Sequence, residues 1–215
     1  MVTDQVGISK EKFDSIPEAL NSFAKGEFLI VMDNEDRENE GDLIIAAEHI
    51  TSEKMAFLIR YSSGYVCAPT TAERLEQLDI PLMVPNPTDP LRTAYGVSID
   101  LKEGTTTGIS ASDRAKTCAA LGDPKIISGD AFIKPGHILP LKAVAGGVLE
   151  RPGHTEACVD LCKLSGVFPA GIIGEIVNDD GTMKRRDDCL KFSELYNIKI
   201  ITIEDLVKYR QKINV

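Results

Sequence analysis

Two short apolar runs, Phe28–Met32 and Leu43–Ala47, enclose a ten-residue segment with six carboxylates and one guanidinium: Asp33-Asn34-Glu35-Asp36-Arg37-Glu38-Asn39-Glu40-Gly41-Asp42. No other feature restricts the fold as much. The runs suit buried strands, but ionised groups cannot follow them into a core without partners. Between the runs the acids are read as a polar segment of about ten residues. Carboxylates held close together repel and raise one another's pKa. A divalent cation relieves that repulsion, and hard ions such as Mg²⁺ favour carboxylate oxygens completed by water and ligand oxygens. The segment is not an EF-hand, because Arg37 falls at the third ligand place and Glu38 where that loop needs Gly. The plainer alternative is a solvated acidic hairpin.

Around this loop, helices and strands interleave without an even βαβ beat. Ser15-Ile16-Pro17-Glu18 is a capping box opening a helix over Pro17–Lys25. Further helices are expected at Thr51–Tyr61, from Thr70-Thr71-Ala72-Glu73 to Leu78, from the Glu103–Ala111 stretch through Leu121, and at Thr155–Leu164, Asp187–Tyr196 and Glu204–Lys212. Strands are expected at Tyr65–Ala68, Gly96–Leu101, Ala131–Lys134, Gly171–Val177 and Ile198–Ile201. Short strands and turns are expected over His137–Val148. Four prolines between Pro81 and Pro90 require an extended loop, and Asn178-Asp179-Asp180-Gly181 reads as a turn. The fold class is α+β, one domain over residues 1–215 with a mixed sheet covered by helices.

The formal net charge of −9 argues against nucleic-acid and anionic-membrane partners, while one local basic spot suffices for a small phosphorylated ligand. No apolar stretch approaches a membrane span, and Met1–Lys12 lacks the apolar run of a signal peptide. Five scattered cysteines without a CxxC pair point to reduced thiols and a cytoplasmic location. Cys158 and Cys162 share a helix face and read as buried thiols. Cys67 follows Tyr65-Val66 and precedes the helix start at Thr70. A thiol there can have a lowered pKa, which makes Cys67 the candidate for modification.

Arg151-Pro152-Gly153-His154-Thr155-Glu156 lies directly before a helix. A helix N-terminus offers free N–H groups and a positive dipole end. Arg151 adds a planar donor fork and Thr155 a hydroxyl, and together they could cradle a phosphate. His154, immediately inside, could reach a metal near that ligand. His137 sits in a similar Pro-Gly-His turn, whereas His49 reads as structural. The stretch from Gly104 to Arg114, with Thr107 in it, could offer hydroxyls to a sugar phosphate but is no Walker loop.

Taken together, DNEDRENEGDL (Asp33–Leu43), GTTTGISASDR (Gly104–Arg114), KPGHILP (Lys134–Pro140), RPGHTEACVD (Arg151–Asp160) and GIIGEIVNDDGTM (Gly171–Met183) resemble the 3,4-dihydroxy-2-butanone-4-phosphate synthases of riboflavin biosynthesis. Gly174 departs from the pattern, since many members have Cys there. Many bacterial relatives continue into a GTP cyclohydrolase II domain. This chain has no such domain before Val215, and the expectation is a stand-alone form. The resemblance implies an α/β/α sandwich, a homodimer with the site near its interface, D-ribulose 5-phosphate as substrate, and Mg²⁺ as cofactor with Mn²⁺ as a substitute. It carries Glu38 and His154 over as metal ligands. It assigns Arg37, Asp42, Thr107, Arg151 and Thr155 to substrate binding, and Glu40, His137 and Glu175 to the catalytic cluster. The competing readings are a metal-dependent sugar-phosphate isomerase or aldolase, and a non-catalytic acidic metal-binding module.

Overall fold

The computed structural model describes residues 13–213, so the expectation for Met1–Lys12 lies outside the described residues. Seven strands form one mixed sheet: β1 (Leu29–Met32), β2 (Gly41–Ala46), β3 (Cys67–Thr70), β4 (Ile99–Leu101), β5 (Phe132–Lys142), β6 (Gly171–Glu175) and β7 (Lys199–Thr202). Their order is β4-β5-β3-β6-β2-β1-β7. β1 runs parallel to β7, and β3 to β5, while the remaining neighbours are antiparallel.

Central strands must be apolar on both faces, and β1 and β2 are buried at every position. Leu29, Val31, Ile44 and Ala46 pack with helices α1 (Ile16–Ala24), α5 (His154–Leu164) and α7 (Ile203–Ile213). Ile30, Met32, Leu43 and Ile45 pack on the other side, with α2 (Ser52–Tyr61), α3 (Ala72–Gln77), α4 (Ala111–Leu121) and α6 (Arg186–Tyr196). The period-two alternation of these strands thus fills two cores, and the result is the expected α/β/α sandwich. Each fully buried Leu or Ile contributes about 1.5–3 kcal/mol.

Local signals explain most element ends. Ser15 Oγ accepts the Glu18 amide at 3.4 Å while Glu18 accepts the Ser15 amide at 3.3 Å, closing the expected capping box. Asn178 accepts the Gly181 amide at 2.9 Å, closing the expected turn. The strand expected at Gly96–Leu101 begins only at Ile99, and that expected at Gly171–Val177 ends at Glu175; three other expectations shift. The Tyr65–Ala68 strand is observed as β3, two residues later, because its partner on β5 starts at Leu139 opposite Cys67. Thr71, not Thr70, caps α3: its hydroxyl accepts the Arg74 amide at 3.2 Å, while the Thr70 hydroxyl donates to the Pro169 carbonyl at 2.9 Å. The strand expected at Ala131–Lys134 and the first of the short strands expected over His137–Val148 merge into the eleven-residue β5, which ends at Lys142 and carries both Pro135 and Pro140. Pairing to β4 and β3 on its two sides holds it extended.

α5 lies very close to the sheet. A Cβ on Gly171 would stand 2.3 Å from Cys158 Sγ and 3.0 Å from the Ile45 carbonyl oxygen. Gly171→Ala is expected to cost about 1–3 kcal/mol by overpacking, and Cys158→Ala in the same chain to recover part of it. Thermal unfolding of the two single variants and the double variant checks this; equal stability of Gly171→Ala and the parent would contradict the close contact.

Candidate active site

The acidic loop folds around one of its own carboxylates. The Asp33 side chain is fully buried. It accepts the Glu38 amide at 3.0 Å, the Glu40 amide at 2.9 Å and Arg37 Nη1 at 2.9 Å. Arg37 also pairs with Glu38. Arg185, just before α6, donates to the carbonyls of Glu38 at 2.7 Å and Asn39 at 2.8 Å, and lies 3.6 Å from Glu40. Two guanidiniums and two backbone N–H groups therefore fix a loop that repulsion alone would spread.

α5 brings the opposite wall. Its N-cap is Gly153, and no side chain caps the first turn. Thr155 is buried in that turn and is not the cap. Arg151 is held by the buried Glu156 carboxylate and by the Leu91 carbonyl, 3.0 Å from Nη2. A Cβ on Gly153 would meet Arg151 Nη1 at 2.6 Å and Arg37 Nη2 at 3.1 Å, so both guanidiniums press on an uncapped helix end. That is the composition of an anion site.

His154 joins the walls. Its Nε2 lies 3.0 Å from the Val31 carbonyl and donates to it, which leaves Nδ1 facing Glu38 Oε2 at 3.6 Å. Burial disfavours the charged imidazole, but Asp42, Glu38 and Asp33 outweigh it and raise its pKa to about 9. Contact with His154, and then the Arg37 charge, hold Glu38 down to about 2 against burial. Asp42 is pushed up to about 7, by burial first, with His154 opposing and Glu175, Glu38 and Glu40 adding to the rise. Asp42 Oδ1 is buried with no hydrogen-bond partner among the described residues.

Sheet register explains why distant residues meet. Val31 pairs with Asp42, and Asp42 with Glu175, so the ends of three adjacent strands align. A cavity of about 60 Å³ results, lined by Arg37, Glu38, Asp42, Cys67, Thr93, Tyr95, Leu141, Arg151, His154, Thr155, Ile173 and Glu175. Glu40 is not in that lining, although burial and the charges of Glu38 and Glu175 raise its pKa. A larger hollow of about 270 Å³ opens elsewhere around the loop, past Asp36, Arg186 and Glu204, but none of the residues of the anion site lines it.

Two further expected residues, His137 and Thr107, stand outside the cavity as Glu40 does. His137 on β5 contacts Asp100 instead: Nδ1 lies 2.6 Å from Oδ2, and the His137 amide donates to Oδ1 at 2.9 Å. Thr107 is exposed beside them, next to Gly108, where a Cβ would meet Asp100 and His137. Cys67 reverses its expectation. It is buried, and desolvation, with Glu175 and Asp42 adding, raises its pKa well above the ordinary thiol value. Burial is the larger cause, and the carboxylates add to it.

The donor set fits a cation. Asp33, Glu38 and His154 each offer a ligand atom within 4.8 Å of the others. Asp33 is committed to the loop's own N–H groups, whereas Glu38 Oε2 and His154 Nδ1 face each other at 3.6 Å. The Val31 carbonyl fixes the imidazole from behind, as outer partners of metal-bound histidines do.

A family model for 3,4-dihydroxy-2-butanone 4-phosphate synthase matches residues 17–209. The chain belongs to this family. It is 59% identical to 3,4-dihydroxy-2-butanone 4-phosphate synthase of Schizosaccharomyces pombe over 91% of this chain and 96% of that protein. Against the Candida albicans enzyme it is 59% identical over 93% of this chain and 98% of that protein. A crystal structure of 3,4-dihydroxy-2-butanone 4-phosphate synthase in complex with two magnesium ions superposes with a TM-score of 0.91 at 48% identity, covering 93% of this chain and 98% of that one.

Sequence reasoning gave no role to Tyr95, which lines the cavity, to Asp33, Glu156 and Arg185, which hold its walls, or to Asp100, which holds His137 outside it. Asp100 left a signal, a lone acid in the apolar strand Val97-Ser98-Ile99-Asp100-Leu101. Glu156 and Arg185 left none, since they act through tertiary contacts. The buried Asp33 generates an expectation: Asp33→Ala removes the acceptor of two loop amides, and the Glu38 and Glu40 N–H groups lose protection from hydrogen exchange. Unchanged protection at both would contradict its organising role.

Proposed function

We propose that this synthase is a Mg²⁺-dependent lyase that converts D-ribulose 5-phosphate to L-3,4-dihydroxy-2-butanone 4-phosphate and formate in riboflavin biosynthesis. The observation that carries the reading is the uncapped α5 N-terminus with two guanidiniums, facing the Glu38–His154 pair across one cavity. A purely acidic metal-binding module needs no anion site. In this reading Arg37, Arg151, Thr155 and the first-turn N–H groups of α5 hold the substrate phosphate.

Glu38 and His154 hold the cation; the magnesium-bound relative and the local donor set support this. Bound there, Mg²⁺, or Mn²⁺ in its place, supplies a Lewis acid that stabilises negative charge on substrate oxygens. Asp42 Oδ1, buried without a hydrogen bond among the described residues, accepts a substrate hydroxyl. Glu175, beside Asp42 in the sheet, and Glu40 serve the repeated proton transfers that an enediol route requires.

A homodimer is part of the proposal. Tyr65, Ile109 and Ile133 are about half exposed despite their apolar bulk, and Ile109 and Ile133 lie within a few residues of Thr107 and His137 in the chain. A second subunit packing there would cover them and place His137, oriented by Asp100, at the interface. Among the described residues no helix is long and apolar enough to cross a membrane. The five cysteines are unpaired thiols, which suits the reducing cytoplasm.

The test is incubation with ribulose 5-phosphate and Mg²⁺ with detection of formate, which an isomerase or aldolase would not release. EDTA is expected to stop turnover and Mg²⁺ to restore it. Glu38→Gln and His154→Gln should each abolish turnover, non-additively, because either loss disables one shared ion. Full activity in EDTA would contradict the metal role. Arg151→Lys keeps the charge but loses the fork; it should lower kcat/KM by the equivalent of about 1.5–3 kcal/mol, and an unchanged kcat/KM would contradict the phosphate role.

A further inference from the structure

The turn after α2 grips Glu175 at two points. The Ser63 amide donates to the Glu175 carbonyl at 2.8 Å, and Ser63 Oγ lies 2.6 Å from Glu175 Oε2. The hydroxyl has little choice of direction. Its lone pair already accepts the Tyr65 amide at 3.2 Å, which turns its hydrogen toward the carboxylate. The turn itself is pinned from both ends. Gly64 adopts φ of +75°, a region that glycine enters without strain, and its amide donates to Ser62 Oγ at 3.1 Å. Its carbonyl accepts Nη1 of the buried Arg114 at 3.0 Å. Arg114 closes the GTTTGISASDR motif, so α4 reaches the site by this route although the motif lies outside the cavity lining.

We propose that Ser63 is a positioning residue for the reaction: its hydroxyl holds the Glu175 carboxylate in the orientation that faces Asp42 and the bound substrate. The inference rests on the reading of Glu175 as a proton-transfer group. A carboxylate at a strand end is otherwise free to rotate about its side-chain bonds. A charge-assisted bond from a hydroxyl fixed by the backbone removes that freedom, and catalytic efficiency depends steeply on such geometry. Ser63 is exposed and adds little to the core, so its loss leaves the fold intact.

The experiment is a double-mutant cycle on the full-length, Mg²⁺-loaded protein, with formate release as the readout and thermal unfolding as the control. Ser63→Ala is expected to lower kcat about tenfold with KM and unfolding temperature nearly unchanged. Ser63→Thr, which keeps the hydroxyl, should restore most of the rate. In a Glu175→Gln background, Ser63→Ala should add no further loss, because the group it positions is already disabled. Full kcat in Ser63→Ala beside an impaired Glu175→Gln would overturn the inference alone. Independent, multiplying losses would overturn it too, since Ser63 would then act by another route. Full activity in both single variants would overturn the role of Glu175 as well.

Discussion

The imidazole of His154 holds the site together. One nitrogen bonds the Val31 carbonyl on the central strand, and the other faces Glu38 on the acidic loop, with Asp42 on the adjacent strand within 3.8 Å. Buried carboxylates repel one another and lose hydration. Here they close around a single cationic ring that the helix delivers from a distant part of the chain. Breaking a buried charge group by removing one partner is strongly unfavourable, so helix, strand and loop hold one another in place. A divalent ion, if bound here, would be held by Glu38 and His154 and would offset the same carboxylate repulsion.

The placement of α5 follows from small residues. Gly171 lets the helix approach the sheet, and Gly153 lets Arg37 and Arg151 converge on its first turn. The buried acid Glu156 then directs Arg151. Helix dipole, free N–H groups and two guanidiniums reinforce one another only because no side chain caps the helix. The two guanidiniums and the Glu38–His154 pair thereby stand on the lining of one cavity.

Much of this was legible in the sequence. The apolar runs beside the acidic segment specified β1 and β2, and the Arg151–Glu156 segment announced the start of a helix. Glu38, Asp42, Arg151, His154, Thr155 and Glu175 converge as the motifs implied. What the sequence hid depends on register and tertiary packing. Nothing local reveals that Asp42 pairs with Glu175, that Arg185 returns to clamp the acidic loop, or that Asp100 orients His137. Cys67 shows the same limit in reverse: its neighbours in sequence suggested a reactive thiol, while its neighbours in space hold it protonated.

The most direct test of the central claim is a crystal structure with ribulose 5-phosphate and a divalent cation bound. The account predicts the phosphate against the N-terminus of α5 within hydrogen-bond distance of Arg37 or Arg151, and the cation ligated by Glu38 and by His154 Nδ1. A phosphate bound away from α5, or a cation touching neither Glu38 nor His154, would contradict it.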